Sequence, residues 1–91
     1  MKELIILTKS KELYFNIDKI SINIPKKYKF EKDQLKIETL SLISNIIEIN
    51  NNTNKELLTY YEKEIRKSIN IIDFLIEYGL TNKFISYLLT N

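Results

Sequence analysis

Cysteine and histidine are both absent from this chain of 91 residues. Their absence excludes disulfides, zinc fingers, thiol nucleophiles and imidazole general bases together. Long apolar runs are missing as well. The run from Leu4 to Leu7 is too short for the core of a signal peptide, and no later run approaches the length of a membrane span. We therefore expect a cytoplasmic protein without a membrane segment, a metal site or a cofactor.

Glycine and proline are scarce, since Gly79 and Pro25 are the only examples of each. So few turn-forming residues favour a small number of long helices over many short strands. A chain of this length forms one domain, which buries roughly two thirds of the surface of the unfolded chain. These limits predict a single all-α domain over residues 1–91.

The apolar spacing predicts four helices, at about residues 2–23, 32–49, 54–78 and 82–90. Pro25 ends the first of them, because its ring removes a backbone donor and pushes the preceding residue out of the α region. A strand over Ile20, Ile22 and Ile24 is the rival interpretation, but no partner strand is visible nearby. Short connections make neighbouring helices antiparallel, so we expect an up-down-up-down four-helix bundle with a short fourth helix.

The first two helices have well-defined apolar faces. In the first helix the predicted core face comprises Ile6, Leu13, Ile17, Ile20 and Ile24, widened by Phe15 and Ile22. The second helix carries one row of Leu35, Leu42, Ile46 and Ile49, and another of Ile37, Leu40, Ile43 and Ile47. Together these rows exceed the ~100° stripe with which a helix rests on a single neighbour. The second helix should therefore touch two neighbours in the bundle, or one neighbour and a second subunit.

The ends of the third helix carry local signals. Thr53 and Glu56 have the spacing of a capping box, so Thr53 is the predicted N-cap. Gly79 is expected to adopt the left-handed conformation that commonly follows a helix, with Leu80 packing on Leu75. Thr81 would then cap the fourth helix.

Positive charge is concentrated after Pro25, in a group that we call the lysine corner: Lys26, Lys27, Lys29, Lys32 and Lys36. The net charge of +2 does not by itself imply a nucleic-acid partner. In one interpretation the corner contacts phosphates, while the rings of Tyr28 and Phe30 stack or touch a partner. In the other, the lysines are an ordinary solvated surface and Phe30 belongs to the core. Lysine lacks the planar fork of arginine, so phosphate contact without base readout is the expected mode.

Two further groups are candidates for surface contacts. Arg66 and Lys67 on the third helix are candidates for nucleic-acid or partner binding, although Glu62 and Arg66 also have the i,i+4 spacing of a helical ion pair. The candidate subunit-interface residues on the fourth helix are Tyr87, Leu88 and Leu89. An uncovered apolar strip at that position would otherwise favour aggregation.

An enzymatic role finds little support in the sequence. Di-iron sites in helical bundles need Glu-x-x-His pairs, and the chain has no histidine. Asp73 and Glu77 are explained by the polar side of an amphipathic helix. No nucleophile–base pair and no glycine-rich phosphate loop is recognisable. We therefore predict no catalytic and no metal-binding residues.

The order of these features resembles a known family. The matching stretches are Glu12-Leu13-Tyr14-Phe15, Ile24-Pro25-Lys26-Lys27, and a third helix with the pattern Leu57-Leu58-x-x-Tyr61 … Ile71-Ile72-x-Phe74-Leu75-Ile76. An apolar helix and a polar loop separate the second stretch from the third. Over nearly its whole length the chain is similar to the accessory variability determinant proteins of diversity-generating retroelements. Relatives of that family are encoded in intervening sequences of ribosomal RNA genes.

The resemblance implies a four-helix bundle that forms a homo-oligomer, typically a pentameric ring, with a basic outer surface. Such proteins bind RNA or DNA and the reverse transcriptase of the retroelement, and they support complementary-DNA synthesis without being enzymes. Five copies around a ring would multiply the field of the lysine corner. The alternative is a structural or protein-interaction helical bundle that does not bind nucleic acid.

Overall fold

The structure, a computed structural model, describes residues 5–85 of the chain. Over these residues it contains helices and their connections and no strand. Its elements are α1 (Ile5–Ser21), a 3₁₀ turn (Lys26–Tyr28), α2 (Lys29–Asn51) and α3 (Lys55–Thr81). The all-α prediction is therefore confirmed for this part of the chain. None of its helices combines the length and the apolar character that crossing a membrane requires.

The helix boundaries differ from the predicted ones mainly at the ends. α2 begins at Lys29 rather than at residue 32, and α3 continues to Thr81 rather than to residue 78. Residues 82–85, where the fourth helix was expected to begin, form a turn and a bend instead. The rest of that predicted helix lies outside the described residues, and so do its candidate interface residues Tyr87, Leu88 and Leu89.

Pro25 reverses the chain as predicted. α1 ends at Ser21, whose carbonyl still accepts a hydrogen bond from the N–H of Ile24 at 3.2 Å. Pro25 is extended, with φ −59° and ψ 151°, and its carbonyl accepts from the N–H of Tyr28 at 2.9 Å. This bond closes the 3₁₀ turn that leads directly into α2. Because Ile24 is buried, the turn is held against the core.

The second helix, α2, packs against both α1 and α3. Its direction is opposite to that of α3, because Tyr28 lies beside Tyr78 whereas Glu38, further along α2, is bonded to Ser68. In that bond Ser68 Oγ donates to Glu38 Oε1 at 3.2 Å. Thr39 is fully buried on α2 and satisfies its hydroxyl by donating to the carbonyl of Leu35 at 2.7 Å. The side of α2 that faces its neighbours is therefore closely packed.

The core draws on all three helices and on the last described turn: Leu7, Ile17, Ile20, Ile24, Leu35, Leu42, Ile46, Ile72, Leu75, Phe84 and Ile85. The predicted face of α1 is only partly correct. Ile6 is exposed, and Leu7 is buried instead. Phe15 and Ile22 were expected to widen the same face, but they are 62% and 84% exposed. A helix resting on few neighbours buries only a narrow stripe, so residues beside that stripe stay in water.

Asn54, not Thr53, is the N-cap of α3. Its side-chain Oδ1 accepts hydrogen bonds from the N–H groups of Glu56 and Leu57, at 2.9 and 3.1 Å. Threonine and asparagine both cap helices well, and they are adjacent here. Local propensity therefore located the helix start to within one residue but did not select the cap.

Gly79 does not adopt the left-handed conformation predicted for it. α3 continues past Gly79, and the left-handed residue is Lys83, with φ 62°. The N–H of Phe84 donates to the carbonyl of Gly79 at 3.0 Å, and the N–H of Lys83 donates to that of Leu80 at 3.2 Å. These two bonds form a Schellman motif four residues later than expected. The predicted helix end and the proposed role of Leu80 were therefore wrong.

Gly79 is required for space rather than for its backbone angles. A Cβ atom at this position would lie 2.5 Å from Ile85 Cδ1 and 2.9 Å from Phe84 Cε1. Both distances are shorter than non-bonded carbon atoms tolerate. The missing side chain lets the turn after α3 fold back onto the helix, which buries Phe84 and Ile85.

Candidate nucleic-acid interface

The lysine corner lies at one end of the molecule, where the 3₁₀ turn connects α1 to α2. Lys26 and Lys27 are in the 3₁₀ turn and are exposed, as is Lys29, the first residue of α2. Lys32 and Lys36 follow one and two turns later on the same side of α2, because spacings of three and four residues align side chains on a helix. The five ammonium groups therefore begin at the turn and continue along one side of α2.

Three members of the lysine corner have partners within the described residues. Lys29 Nζ donates to Asp33 Oδ2 at 2.7 Å, and Lys36 Nζ lies 3.2 Å from Asp18 Oδ1 on α1. Lys27 Nζ lies 5.1 Å from the centre of the Tyr28 ring, within the range of a cation–π contact. Among residues 5–85, Lys26 and Lys32 have no ion-pair partner.

Asp33 is the carboxylate most strongly influenced by these lysines. The hydrogen bond from Lys29 lowers the pKa of Asp33 below its ordinary value, and the charges of Lys29, Lys32 and Lys36 lower it further. The folded-state pKa thus lies below that of the unfolded chain. Any stability that the pair contributes is present above the unfolded-state pKa and is lost as the pH falls through the folded-state value. At neutral pH Asp33 is ionised and neutralises part of the corner.

Tyr28 is already engaged within the fold. Its ring stacks on Phe84, with centroids 4.2 Å apart and planes at 27°, and meets Tyr78 edge-on at 6.3 Å. Together with the contact from Lys27, these rings leave Tyr28 little free surface for stacking on a ligand. Tyr28 instead joins the start of α2 to the turn after α3. The expectation that Tyr28 offers a ring to a partner does not fit this arrangement.

The contact between Tyr28 and Phe84 brings an additional cation to the lysine corner. Lys83 precedes Phe84 and is exposed in the turn after α3. Sequence reasoning missed Lys83 because it placed this residue inside a fourth helix. The positive φ at Lys83 depends on the Schellman motif, and no residue type in the chain marks it in advance.

Phe30 belongs neither to the core nor to the aromatic cluster, the group of rings formed by Tyr28, Tyr78 and Phe84. It is 68% exposed, and it forms one wall of an open pocket between α2 and α3 with a volume of about 370 Å³. We call this the α2–α3 pocket, and it is lined by Phe30, Gln34, Asn70, Ile71, Phe74 and Leu75. Phe74 is 62% exposed, and its ring stacks on the ring of Tyr78, which belongs to the aromatic cluster. The interpretation of Phe30 as a core residue is therefore wrong.

Arg66 and Lys67 do not join the lysine corner. They lie on the exposed side of α3, about 18 Å along the helix from Tyr78 at a rise of 1.5 Å per residue. Within residues 5–85 no ion pair links Arg66 to Glu62, although their spacing allowed one. Lys67 is one helical turn from Asn70 and Ile71, so it flanks the α2–α3 pocket. Arg66 is likewise one helical turn from Asn70, but it is not one turn from Ile71.

An apolar strip runs along the side of α2 that faces away from the core: Ile37, Leu40 and Ile47, with half-buried Ile43 at its edge. These residues form the second of the two rows that the sequence shows on this helix. The first row packs against both α1 and α3. Within the described residues, Ile37, Leu40 and Ile47 are therefore largely exposed, whereas Ile43 packs against the edge of the core.

The carboxylates do not form a metal site in the described part of the chain. No group of three or more potential metal ligands comes together there. Glu38 is bonded to Ser68, Asp33 to Lys29 and Asp18 to Lys36. These three carboxylates serve as partners for neighbouring side chains.

Comparison of the chain with models of protein families, with curated proteins and with solved structures finds no match. The resemblance to the retroelement accessory family therefore stays a prediction. Any functional proposal depends on the lysine corner, the α2–α3 pocket and the apolar strip.

Proposed function

We propose that this protein is a non-enzymatic accessory protein of a retroelement, which binds nucleic acid without sequence preference and docks a reverse transcriptase. One observation carries the nucleic-acid part of the proposal: Lys26 and Lys32 have no carboxylate partner in the described structure, and three further lysines lie beside them. Point charges on flexible stems suit phosphate oxygens, which repeat along any nucleic acid. Sequence-independent binding follows from that chemistry.

The ion pairs at the corner are weak competitors for phosphate. The side chains of Lys29 and Asp33 are 70% and 42% exposed, and exposed pairs contribute little net stability. A phosphate that displaces Asp33 from Lys29 also releases condensed counterions from the nucleic acid, which favours binding at low salt. Lys29 therefore counts among the lysines available to a nucleic acid.

Self-association and docking of the reverse transcriptase need an apolar surface as well. The apolar strip on α2 supplies one, since exposed patches of this kind commonly mark protein contacts. A homo-pentamer would place five lysine corners on one particle and raise their effective concentration along a strand. The proposal includes a four-helix bundle, in which a further helix would join α1, α2 and α3.

The test is a salt series with single-stranded RNA and DNA of mixed sequence. Replacing Lys26, Lys27 and Lys29 by Gln should weaken binding and flatten the plot of log affinity against log salt by about 0.7 per lost phosphate contact. A matched control replaces Lys9, Lys55 and Lys63 by Gln, which removes the same charge far from the corner. The absence of wild-type binding at low salt, or equal losses in both variants, would rule out the proposal.

The second candidate is a protein-interaction bundle that does not bind nucleic acid, and the apolar strip favours it. In that case the lysine variant should behave as the wild type in every binding assay. A Leu40→Glu variant should instead lose the protein contact while its helical content is unchanged.

A further inference from the structure

We propose that the α2–α3 pocket receives one unstacked base of a single-stranded nucleic acid whose phosphates lie against the neighbouring lysines. This inference rests on the proposed function and assigns a second, separate contact to it. The lysine corner supplies charge, whereas the pocket supplies a surface for a base.

The walls of the pocket are two exposed aromatic rings. Phe30 and Phe74 come from different helices. Each is more than 60% exposed, although burying an aromatic ring would be energetically favourable. Aromatic rings in such positions are the usual platforms for bases in single-stranded complexes, because every base has a π face. The volume of about 370 Å³ lies at the lower end of the ~300–1,000 Å³ typical of small-ligand pockets. This size suits one ring system rather than a folded partner.

Two amides stand at the pocket, one from each helix. Gln34 lies on α2 and Asn70 on α3, and neither has a hydrogen-bond partner within residues 5–85. An amide both donates and accepts, so it can pair with the edge of any base. Amides that are free at an otherwise apolar pocket favour a planar polar heterocycle over a purely aliphatic ligand.

Cations flank the pocket on both helices. Lys29 is the chain neighbour of Phe30 at the start of α2, and Arg66 and Lys67 are each one turn from Asn70 on α3. A ligand lying across the pocket therefore passes positive charge on both sides. This pattern fits a base with a phosphate on each side of it, and it gives Lys67 a role that its distance from the lysine corner does not.

Tyr28 is not available as a stacking surface for the base. Its ring is stacked on Phe84 at 4.2 Å and lies near Lys27 Nζ at 5.1 Å. Among residues 5–85, Phe30 and Phe74 are the rings at this pocket that are more than 60% exposed, and Phe74 also stacks on Tyr78 with centroids 6.1 Å apart.

The experiment measures binding of a 12-nucleotide single-stranded RNA, and of the same strand with abasic sites, to the full chain. Phe74→Ala should weaken binding of the intact strand by about 5- to 150-fold, the range for losing one stacked base. The salt dependence should not change, because no phosphate contact is removed. Phe15→Ala is the matched control, since Phe15 is equally exposed but lies on α1. The abasic strand should bind wild type and Phe74→Ala alike.

A second measurement does not depend on the variants. An oligonucleotide containing 5-iodouracil should crosslink to Phe30 or Phe74 on irradiation, as mapped by mass spectrometry of the peptides. Crosslinks confined to other residues would overturn the inference. If Phe74→Ala lowers the helical content, Phe74→Leu replaces it, because Leu keeps the apolar volume and removes the ring.

The outcomes separate the two proposals. Normal RNA binding by Phe74→Ala, together with a loss in the lysine variant, overturns the base pocket and leaves the proposed function standing. No binding by the wild type at low salt overturns both. Normal RNA binding by Phe74→Ala combined with lost binding to a protein partner overturns the base pocket in favour of a peptide site.

Discussion

Tyr28 stacks on Phe84, with ring centroids 4.2 Å apart, so the residue before α2 is joined to the turn after α3. This contact closes the end of the molecule that carries the lysine corner. Lys26 and Lys27 lie in the 3₁₀ turn that Tyr28 ends, and Lys83 is adjacent to Phe84.

Phe84→Ala tests whether this contact holds the end together. Phe84 is 8% exposed and stacks on Tyr28, so the substitution should lower the free energy of unfolding by about 3 kcal/mol. Urea unfolding followed by circular dichroism gives the value. The control is Phe15→Ala, an exposed site where the change should stay within about 0.5 kcal/mol. Equal effects at the two sites would mean that the turn after α3 is not packed against Tyr28.

Gly79→Ala tests the requirement for space at the end of α3. The new methyl group would meet Ile85, and overpacking costs about 1–3 kcal/mol, only partly offset by the ~1 kcal/mol gained in helix propensity. Thermal unfolding should therefore show a destabilised protein. The loss should be smaller in an Ile85→Ala background, because the clashing atoms are gone. An identical loss in both backgrounds would contradict this explanation.

Lys83→Gly tests the position of the left-handed residue. At φ 62° a side chain is disfavoured, so glycine should raise the free energy of unfolding by up to about 1 kcal/mol. Asn82→Gly is the neighbouring control, since Asn82 has φ −90° and gains nothing from glycine there. Stabilisation at residue 82 instead of 83 would place the helix end elsewhere.

Asp33→Asn tests the electrostatics of the lysine corner. Removing the carboxylate frees Lys29, so affinity for single-stranded RNA should rise and its salt dependence should become steeper. The unfolding free energies of variant and wild type should differ above about pH 4 and converge as the pH falls through the lowered pKa of Asp33. Glu12→Gln on α1 is the control for a lost charge away from the corner. An unchanged salt dependence in Asp33→Asn would show that Lys29 does not contact phosphate.

Leu40→Glu tests the apolar strip as a protein contact. A charge in the middle of the strip should disrupt self-association, because a buried carboxylate without a partner is costly. Sedimentation measurements would detect a lower mass at unchanged helical content. Asn16→Glu adds the same charge at an exposed site on α1 and should leave the mass unchanged. A wild-type protein that is already monomeric would remove the basis for this prediction.

Several features of the fold were predictable because they depend on short stretches of chain. The ring of Pro25 ends α1 through its local stereochemistry. The Asn-rich loop before α3 contains several residues that can cap a helix, so the start of α3 is predictable even though the particular cap is not. The grouping of Lys26, Lys27 and Lys29 follows from their adjacency. Ile17, Ile20 and Ile24 are buried as their spacing predicts. Three of the predictions that failed, at Ile6, Phe15 and Gly79, depend on which distant residues pack against the position.

The candidate site shows the same difference between features set by short stretches of chain and features set by distant residues. The lysines were found from the sequence, whereas the α2–α3 pocket was not, because Phe30 and Phe74 are far apart in the chain. Neither interpretation of Phe30 in the sequence indicated that this residue borders an opening between α2 and α3. Lys67 was a candidate from the sequence, but its place one turn from the pocket residue Asn70 follows only from the structure.

The sequence by itself determined the helical class, the reversal at Pro25 and the concentration of lysines after it, because spacing and local stereochemistry act within a few residues. Only the tertiary structure decided which rings are buried and which stay open. It stacks Tyr28 on Phe84 and leaves Phe30 and Phe74 exposed in the lining of one open pocket. The physical reason is that burial depends on the antiparallel pairing of α2 with α3, and that pairing sets distant residues side by side.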